Sequence, residues 1–226
     1  MKKTILEDKV YCYEDSIENL EELIKTINEL DQIEKDYNSS SWVEWKIGDF
    51  VCGYNKKYEA KTIKNLEEPV RSKMNFVYDT IQKSFYSVCK DYGFSIKDNT
   101  EPIFHPLFNV SRYEVGGGLG PHFDQGYDGN TLKYTLVAYL NDDYQGGEIS
   151  FKLSHYVNPD ELGDVDDDYE SAKIQKHFDF GLKPKAGSII IFPSLPPYRH
   201  TAHSVKSGSK MMVQSHWLYN NTEKGE

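Results

Sequence analysis

Pro121-His122-Phe123-Asp124 places an imidazole and a carboxylate two residues apart. In an extended segment, side chains at positions i and i+2 leave the backbone on the same face. His122 and Asp124 therefore predict two ligands for one metal ion. A His-x-Asp pair is common by chance, so this prediction depends on finding a third ligand elsewhere in the chain.

Two later histidines, His200 and His203, could complete the site. Both follow an apolar run at 188–193 that predicts a strand. Two histidines and one carboxylate, with open positions opposite, are the ligand set that suits non-haem Fe(II). Lys210 lies ten residues after His200, beyond a turn at 206–208, and this spacing lets the chain leave the metal, turn and re-enter the barrel.

Lys210 is the predicted cation for an anionic cosubstrate. A buried lysine without a partner tends to lose its charge, so we expect a carboxylate as its counter-ion. Tyr113, Thr135 and Tyr139 lie on predicted strands that flank the His-x-Asp pair and could supply hydroxyl groups beside it.

The spacing of apolar residues changes along the chain. Helical spacing predicts helices over 14–35, with Asp15 or Ser16 as N-cap, and over 66–92, ending at Gly93. The segment 42–54 is ambiguous between strand and irregular structure. Short strands follow, and they are predicted at 108–113, 134–141, 148–153, 188–193 and 210–219.

Two helices followed by a run of strands predict an α+β fold, with helices packed outside a β sandwich or barrel. We expect one catalytic domain over 1–226, in which a mainly helical region at 1–100 supports a β core at 104–220. An acidic insertion at 154–180 interrupts that core. It is typical of a solvated loop, and the alternative is a lid over the substrate.

The composition restricts the expected binding partners and the expected cellular location of the protein. A net charge of −10 and a pI near 5.2 disfavour binding to a nucleic-acid backbone, which usually needs a basic face. No apolar run is long enough for a membrane span, and we expect that the first residues do not act as a signal peptide. Three widely spaced cysteines indicate reduced thiols, so a cytoplasmic location is expected.

Five segments in order resemble one known family. The first two segments are Tyr113-Glu-Val-Gly-Gly-Gly-Leu-Gly-Pro-His-Phe-Asp124 and Tyr134-Thr-Leu-Val-Ala-Tyr-Leu-Asn141. The other three are residues 146–151, 184–192 and 200–210. From about 105 to 219, the chain is similar to the prolyl 4-hydroxylase branch of the Fe(II)/2-oxoglutarate-dependent dioxygenases. The resemblance implies a double-stranded β-helix, or jelly roll, as the core.

The resemblance also implies roles for single residues. His122, Asp124 and His200 would be the iron ligands, and Lys210 would pair with the distal carboxylate of 2-oxoglutarate. Tyr113, Thr135 and Tyr139 would lie near that cosubstrate. The implied cofactors are Fe(II), 2-oxoglutarate and O₂, with ascorbate as an optional addition. Leu119 and Ser204 depart from the pattern of several prolyl hydroxylases, which leaves the substrate open.

The resemblance implies hydroxylation of a C–H bond with release of succinate and CO₂, most readily of a proline in a peptide or protein. Arg199, Tyr127 and Trp42 are the predicted substrate contacts, with Trp45 and Tyr198 as further walls of a groove. The alternatives are a hydroxylase of a free amino acid or small metabolite, a nucleic-acid demethylase, and a binding module that has lost its chemistry. Neither the substrate nor the oligomeric state follows from the sequence.

Overall fold

The computed structural model describes residues 1–7, 9–36, 42–98, 101–124, 132–153 and 178–218. Tyr127 and most of the predicted acidic insertion, residues 154–177, therefore lie outside the described residues. The helices are α1 (Leu20–Asp36), α2 (Ala60–Ile63) and α3 (Val70–Ser95). None of the helices in these ranges is both long and apolar enough to cross a membrane.

Fifteen strands fall within the described ranges. They are β1 (Lys2–Glu7), β2 (Val10–Glu14), β3 (Trp42–Ile47), β4 (Phe50–Glu59), β5 (Ile103–Phe104), β6 (Leu107–Tyr113), β7 (Leu119–His122), β8 (Leu132–Tyr139), β9 (Gln145–Gly146), β10 (Ile149–Lys152), β11 (Phe180–Leu182), β12 (Ile189–Pro193), β13 (Arg199–Ala202), β14 (Val205–Ser207) and β15 (Lys210–Leu218).

Two facing sheets form the core. The large sheet has the order β1-β2-β12-β8-β15-β6-β4-β3, with β5 beside β15, and the small sheet has the order β11-β10-β13-β7. Along the chain, β6, β8, β12 and β15 of the large sheet alternate with β7, β10 and β13 of the small one. This alternation is that of a jelly roll, so the predicted α+β fold with a double-stranded β-helix core is confirmed.

Hydrophobic side chains form two layers. One layer lies between the sheets and includes Tyr139, Phe151 and Phe192. The other lies between the outer face of the large sheet and the helices, and includes Leu136, Phe85 and Trp217. Because β8 and β15 are buried on both faces, their alternate residues belong to different layers. The interior layer surrounds the metal-ligating cluster described below.

The prediction of a mainly helical region at 1–100 is incomplete, because β1 to β4 extend the large sheet at both edges. β2 lacks a polar–apolar alternation because both of its faces are buried: Tyr11 and Tyr13 face the helices, while Val10 and Cys12 face the barrel. The ambiguous segment at 42–54 forms most of a hairpin, β3–β4, which packs beside β6.

Helix boundaries also differ from the predicted ones. The first helix begins at Leu20, not near Asp15, because Asp15 and Asn19 have positive φ angles and Ser16 bonds back to the Tyr13 carbonyl. The helix α3 continues through Gly93 to Ser95. A Cβ atom at Gly93 would lie 2.5 Å from the carbonyl oxygen of Asp98. Gly93 therefore permits a close approach between segments and does not end the helix.

Candidate functional site

His122, Asp124 and His200 come together between the two sheets. Their potential ligand atoms all lie within 4.8 Å of one another. His122 ends β7 and His200 lies on β13, and the two residues are paired partners in the small sheet. Asp124 lies two residues beyond the end of β7, so the His-x-Asp pair lies at a strand end and not within a strand. His203 is elsewhere, with Nε2 at 2.9 Å from Ser150 Oγ.

Hydrogen bonds orient both imidazoles toward the carboxylate. Nδ1 of His122 lies 2.8 Å from the Gly120 carbonyl oxygen, and Nδ1 of His200 lies 3.3 Å from that of Tyr198. A carbonyl can only accept, so Nδ1 carries the proton in each ring and the lone pair is on Nε2. Both Nε2 atoms are 3.5 Å from oxygens of Asp124. The two rings therefore present their basic nitrogens to one point.

The protonation states of the cluster suit a cation. Burial lowers the pKa of His200 to about 4, so this imidazole is neutral at physiological pH. Phe192 packs edge-on against its ring, with centroids 4.7 Å apart. Burial raises the pKa of Asp124, but His200 and His122 outweigh that effect and hold it below its usual value. Two imidazoles and one carboxylate are a set of donors that fits a divalent iron ion.

Two side chains of the large sheet hold the Asp124 carboxylate. The Thr135 hydroxyl donates to Oδ2 at 2.7 Å, and the Gln214 amide donates to Oδ1 at 3.2 Å. Ser194 Oγ lies 2.9 Å from the Thr135 oxygen, and Nδ1 of His216 lies 3.4 Å from it. Thr135 therefore acts on the carboxylate ligand, while its predicted place beside a cosubstrate stays a prediction.

Lys210 is buried in the barrel, with 1% of its surface exposed. Its ammonium donates to the Gly147 carbonyl at 2.8 Å. It also lies 5.4 Å from the ring centroid of Tyr113 and 5.2 Å from that of Tyr139. Burial lowers the lysine pKa to about 7, against an opposing attraction from Glu148. The structure thus brings together three of the four residues predicted around the cosubstrate.

Backbone conformation keeps room for this cation. Gly147 has φ +68°, where L side chains are strained, and a Cβ atom there would lie 3.2 Å from Cδ of Lys210. Burial raises the pKa of both Tyr113 and Tyr139. Their hydroxyls therefore stay protonated and can donate hydrogen bonds to an anion.

A cavity of about 830 Å³ opens beside the metal-ligating cluster. Its walls are Trp45, Lys46, Ile47, Leu119, His122, Phe123, Asp124, Leu132, Gln214 and His216. Trp45 was predicted as a wall of the groove, whereas most of the other lining side chains, Gln214 and His216 among them, were not predicted from the sequence. The alternation of β15 could have identified two of them, because Gln214 and His216 share the strand face of Lys210.

The predicted substrate contacts are placed differently. Trp42 is turned toward α1: its indole N–H donates to Asp31 at 2.9 Å, and the Arg112 guanidinium stacks on its ring at 4.5 Å. Trp45, three residues on, contacts the barrel interior and lines the cavity. Tyr198 is buried in the interior layer. Arg199 donates to the Pro121 carbonyl at 3.4 Å and so links the two ligand-bearing strands.

Comparisons with known proteins agree with this geometry. The family model described as the 2OG-Fe(II) oxygenase superfamily matches residues 108–219. Comparison with curated proteins finds no match. Among solved structures, a Pseudomonas putida prolyl-4-hydroxylase has a TM-score of 0.56 at 11% identity, over 94% of this chain and 93% of that chain.

Two further structures show the same fold. A collagen prolyl hydroxylase of Paramecium Bursaria Chlorella virus-1 has a TM-score of 0.53 at 18% identity, over 93% of this chain and 96% of that chain. The alpha-ketoglutarate-dependent carbocyclase SnoK of nogalamycin biosynthesis has a TM-score of 0.59 at 11% identity, over 94% of this chain and 80% of that chain. On its family match, its fold and its cluster of two histidines and one aspartate, this chain belongs to the 2OG-Fe(II) oxygenase superfamily.

Proposed function

We propose that this protein is an Fe(II)- and 2-oxoglutarate-dependent dioxygenase that hydroxylates a proline residue in a peptide or protein. The observation that carries the proposal is the convergence of His122, Asp124 and His200 within 4.8 Å, in a barrel that also buries Lys210. Membership of the superfamily implies Fe(II), 2-oxoglutarate and O₂. In this proposal residues 1–226 act as one catalytic domain.

Each group in the site has a distinct task. His122 and His200 offer Nε2 to the iron because their Nδ1 protons are held by backbone carbonyls. Asp124 offers a carboxylate whose two oxygens are held by Thr135 and Gln214. When bound, the iron and 2-oxoglutarate supply the oxidation, with loss of CO₂ and formation of succinate. The protein orients these groups and limits access of water to them.

Lys210 binds the distal carboxylate of 2-oxoglutarate in this proposal. The ammonium lies between Tyr113 and Tyr139, and no carboxylate within the described ranges forms an ion pair with it at 4.0 Å or less. Glu148 attracts it over a longer range. A dicarboxylic cosubstrate would bring the missing negative charge, and the two tyrosine hydroxyls would add hydrogen bonds.

Support for a proline substrate comes from the similarity to two prolyl hydroxylases over most of both chains. Similarity to a carbocyclase of nogalamycin biosynthesis supports the second candidate, oxidation of a small metabolite. The cavity of about 830 Å³ favours the peptide, because it continues into a second cavity with which it shares Trp45, Gln214 and His216. Arg199 and Tyr127 stay predicted substrate contacts, and a cytoplasmic location stays a prediction.

The test is turnover by the full chain with Fe(II), 2-oxoglutarate and a library of proline-containing peptides, with and without ascorbate. We expect succinate release coupled to the gain of one oxygen atom on proline, measured by mass spectrometry. Free amino acids and small cyclic metabolites form the second arm of the experiment. Coupled oxidation in that arm alone would support the metabolite hydroxylase and reject the prolyl assignment.

A further inference from the structure

A second cavity adjoins the first. It has a volume of about 350 Å³ and shares Trp45, Gln214 and His216 with the cavity at the metal-ligating cluster. The two cavities therefore form one groove, which runs from Asp124 across β15 and β6 to β4. Nothing in the proposed chemistry uses the far half of this groove.

Four uncharged polar side chains on three neighbouring strands line the groove, and we call them the amide strip: Asn55, Asn109, Ser111 and Gln214. Asn55 is the paired partner of Ser111, and Asn109 is the paired partner of Gln214, so all four share the inner face of the sheet. The Ser111 hydroxyl donates to Asn55 Oδ1 at 2.7 Å. Gln214 joins the strip to the site, because it also donates to Asp124.

The second cavity has an unusual electrostatic character for this protein. The full chain carries 26 basic and 36 acidic residues, yet none of the side chains lining this cavity is Asp, Glu, Lys or Arg. Lys57, the paired partner of Asn109, is exposed, and its ammonium forms an ion pair with Glu59 at 3.0 Å. An ionised group placed in the cavity would therefore lose hydration without meeting an opposite charge in its lining. The lining therefore favours an uncharged occupant.

Polar atoms of the strip are available to a ligand. Within the described ranges, the side-chain nitrogen of Asn55 and the whole side-chain amide of Asn109 have no protein hydrogen-bond partner. Both side chains are half-buried. Amides offer donors and acceptors together, which matches the alternating N–H and C=O groups of a peptide.

We propose that the amide strip is a subsite for the uncharged segment of a peptide that flanks the hydroxylated residue on one side. This inference rests on the proposed function. Strands lie about 4.8 Å apart, so the path from β15 to β4 is roughly 10 Å, which about three extended residues span. The subsite therefore contacts the residues one to three positions from the target proline. It disfavours both acidic and basic side chains at those positions.

The first experiment uses peptides with one central proline and Gln, Glu or Lys at each of the three positions on either side. We expect Glu and Lys on one side to raise KM at least about tenfold with a much smaller change in kcat, and the same residues on the other side to have little effect. Equal KM values for all flanking residues would overturn the subsite.

The second experiment changes the charge of the subsite. Asn109→Asp keeps the size of the side chain and adds a negative charge, so we expect it to lower KM at least about tenfold for the Lys-flanked peptide relative to the Gln-flanked one. Calorimetric titration without O₂ measures the same shift in peptide affinity. Asn65→Asp, the same change at an exposed position on the helical side, is the matched control.

The outcomes separate the two proposals. If proline peptides gain oxygen but Asn109→Asp behaves like Asn65→Asp, the amide strip is not a subsite and the proposed function stands. If no proline peptide gains oxygen or binds, the prolyl function fails, and the subsite for a peptide fails with it. A preference for the Lys-flanked peptide over the Glu-flanked one that is present in Asn109→Asp and absent in the wild type supports both.

Discussion

The hydroxyl of Thr135 donates a 2.7 Å hydrogen bond to Oδ2 of Asp124, between a strand of the large sheet and the end of a strand of the small sheet. Both groups are buried. Because groups that orient a ligand are themselves part of a metal site, we expect this contact to affect metal binding directly.

Thr135→Val keeps the shape of the side chain and removes the donor. We expect the affinity for Fe(II), or for Mn(II) as a redox-stable probe, to fall about 10- to 100-fold. Anaerobic calorimetric titration measures it. Ser84→Ala removes another buried hydroxyl, bonded inside α3 to the Thr80 carbonyl, and should leave metal affinity unchanged. Equal affinities in wild type and Thr135→Val would contradict an orienting role.

Substitutions of the two histidines that follow β12 should have different effects on metal binding. His200→Ala removes a nitrogen of the cluster, so we expect Mn(II) binding to be lost. His203→Ala should retain it, because the ring contacts Ser150 on the neighbouring strand. Loss of that buried contact should cost about 1–3 kcal/mol in the free energy of unfolding. Metal titration and chemical unfolding of both variants test this, and the reverse pattern would exclude His200 as a ligand.

The affinity for 2-oxoglutarate should depend on pH through Lys210. Its pKa in the free protein is about 7, so the ammonium is present below that pH and is lost above it. A carboxylate pairs only with the protonated form, and the Kd for 2-oxoglutarate should therefore rise about tenfold per pH unit above pH 7. Binding to the Mn(II)-loaded protein between pH 6 and 9 measures this effect.

Lys210→Arg provides the control for that profile. Arginine stays protonated throughout this range, so its Kd should be nearly independent of pH, even if the longer side chain binds more weakly overall. A wild-type Kd that does not change above pH 7 would show that Lys210 is not the carboxylate partner.

Two tryptophans three residues apart should differ in function. Trp45→Ala removes a wall of both cavities, and we expect a higher KM for peptide substrates with modest loss of stability. Trp42→Ala breaks the contacts with Asp31 and Arg112, and should lower the free energy of unfolding by roughly 1–3 kcal/mol with little change in KM. A larger increase in KM for Trp42→Ala than for Trp45→Ala would show that Trp42, and not Trp45, lines the substrate groove.

Local sequence patterns are sufficient to predict most of the longer strands of the β core. The strands β6, β8, β10, β12 and β15 lie within two residues of their predicted bounds, because each begins or ends near a turn and carries a strong apolar pattern. The short strands β7 and β13, which bear the histidines, were missed. They have four residues each, and their pairing depends on contacts between distant segments.

The sequence by itself determined the chemistry: a His-x-Asp pair, a distant histidine and a lysine are residue types whose order along the chain identifies a superfamily. Only the tertiary structure decided which groups surround them. Thr135 and Gln214 reach Asp124 from strands 11 and 90 residues away along the chain. Trp42 and Trp45 face opposite layers, although they are near neighbours. Such relations depend on strand pairing and on which face each residue presents, and these are set by the packing of two sheets rather than by local sequence.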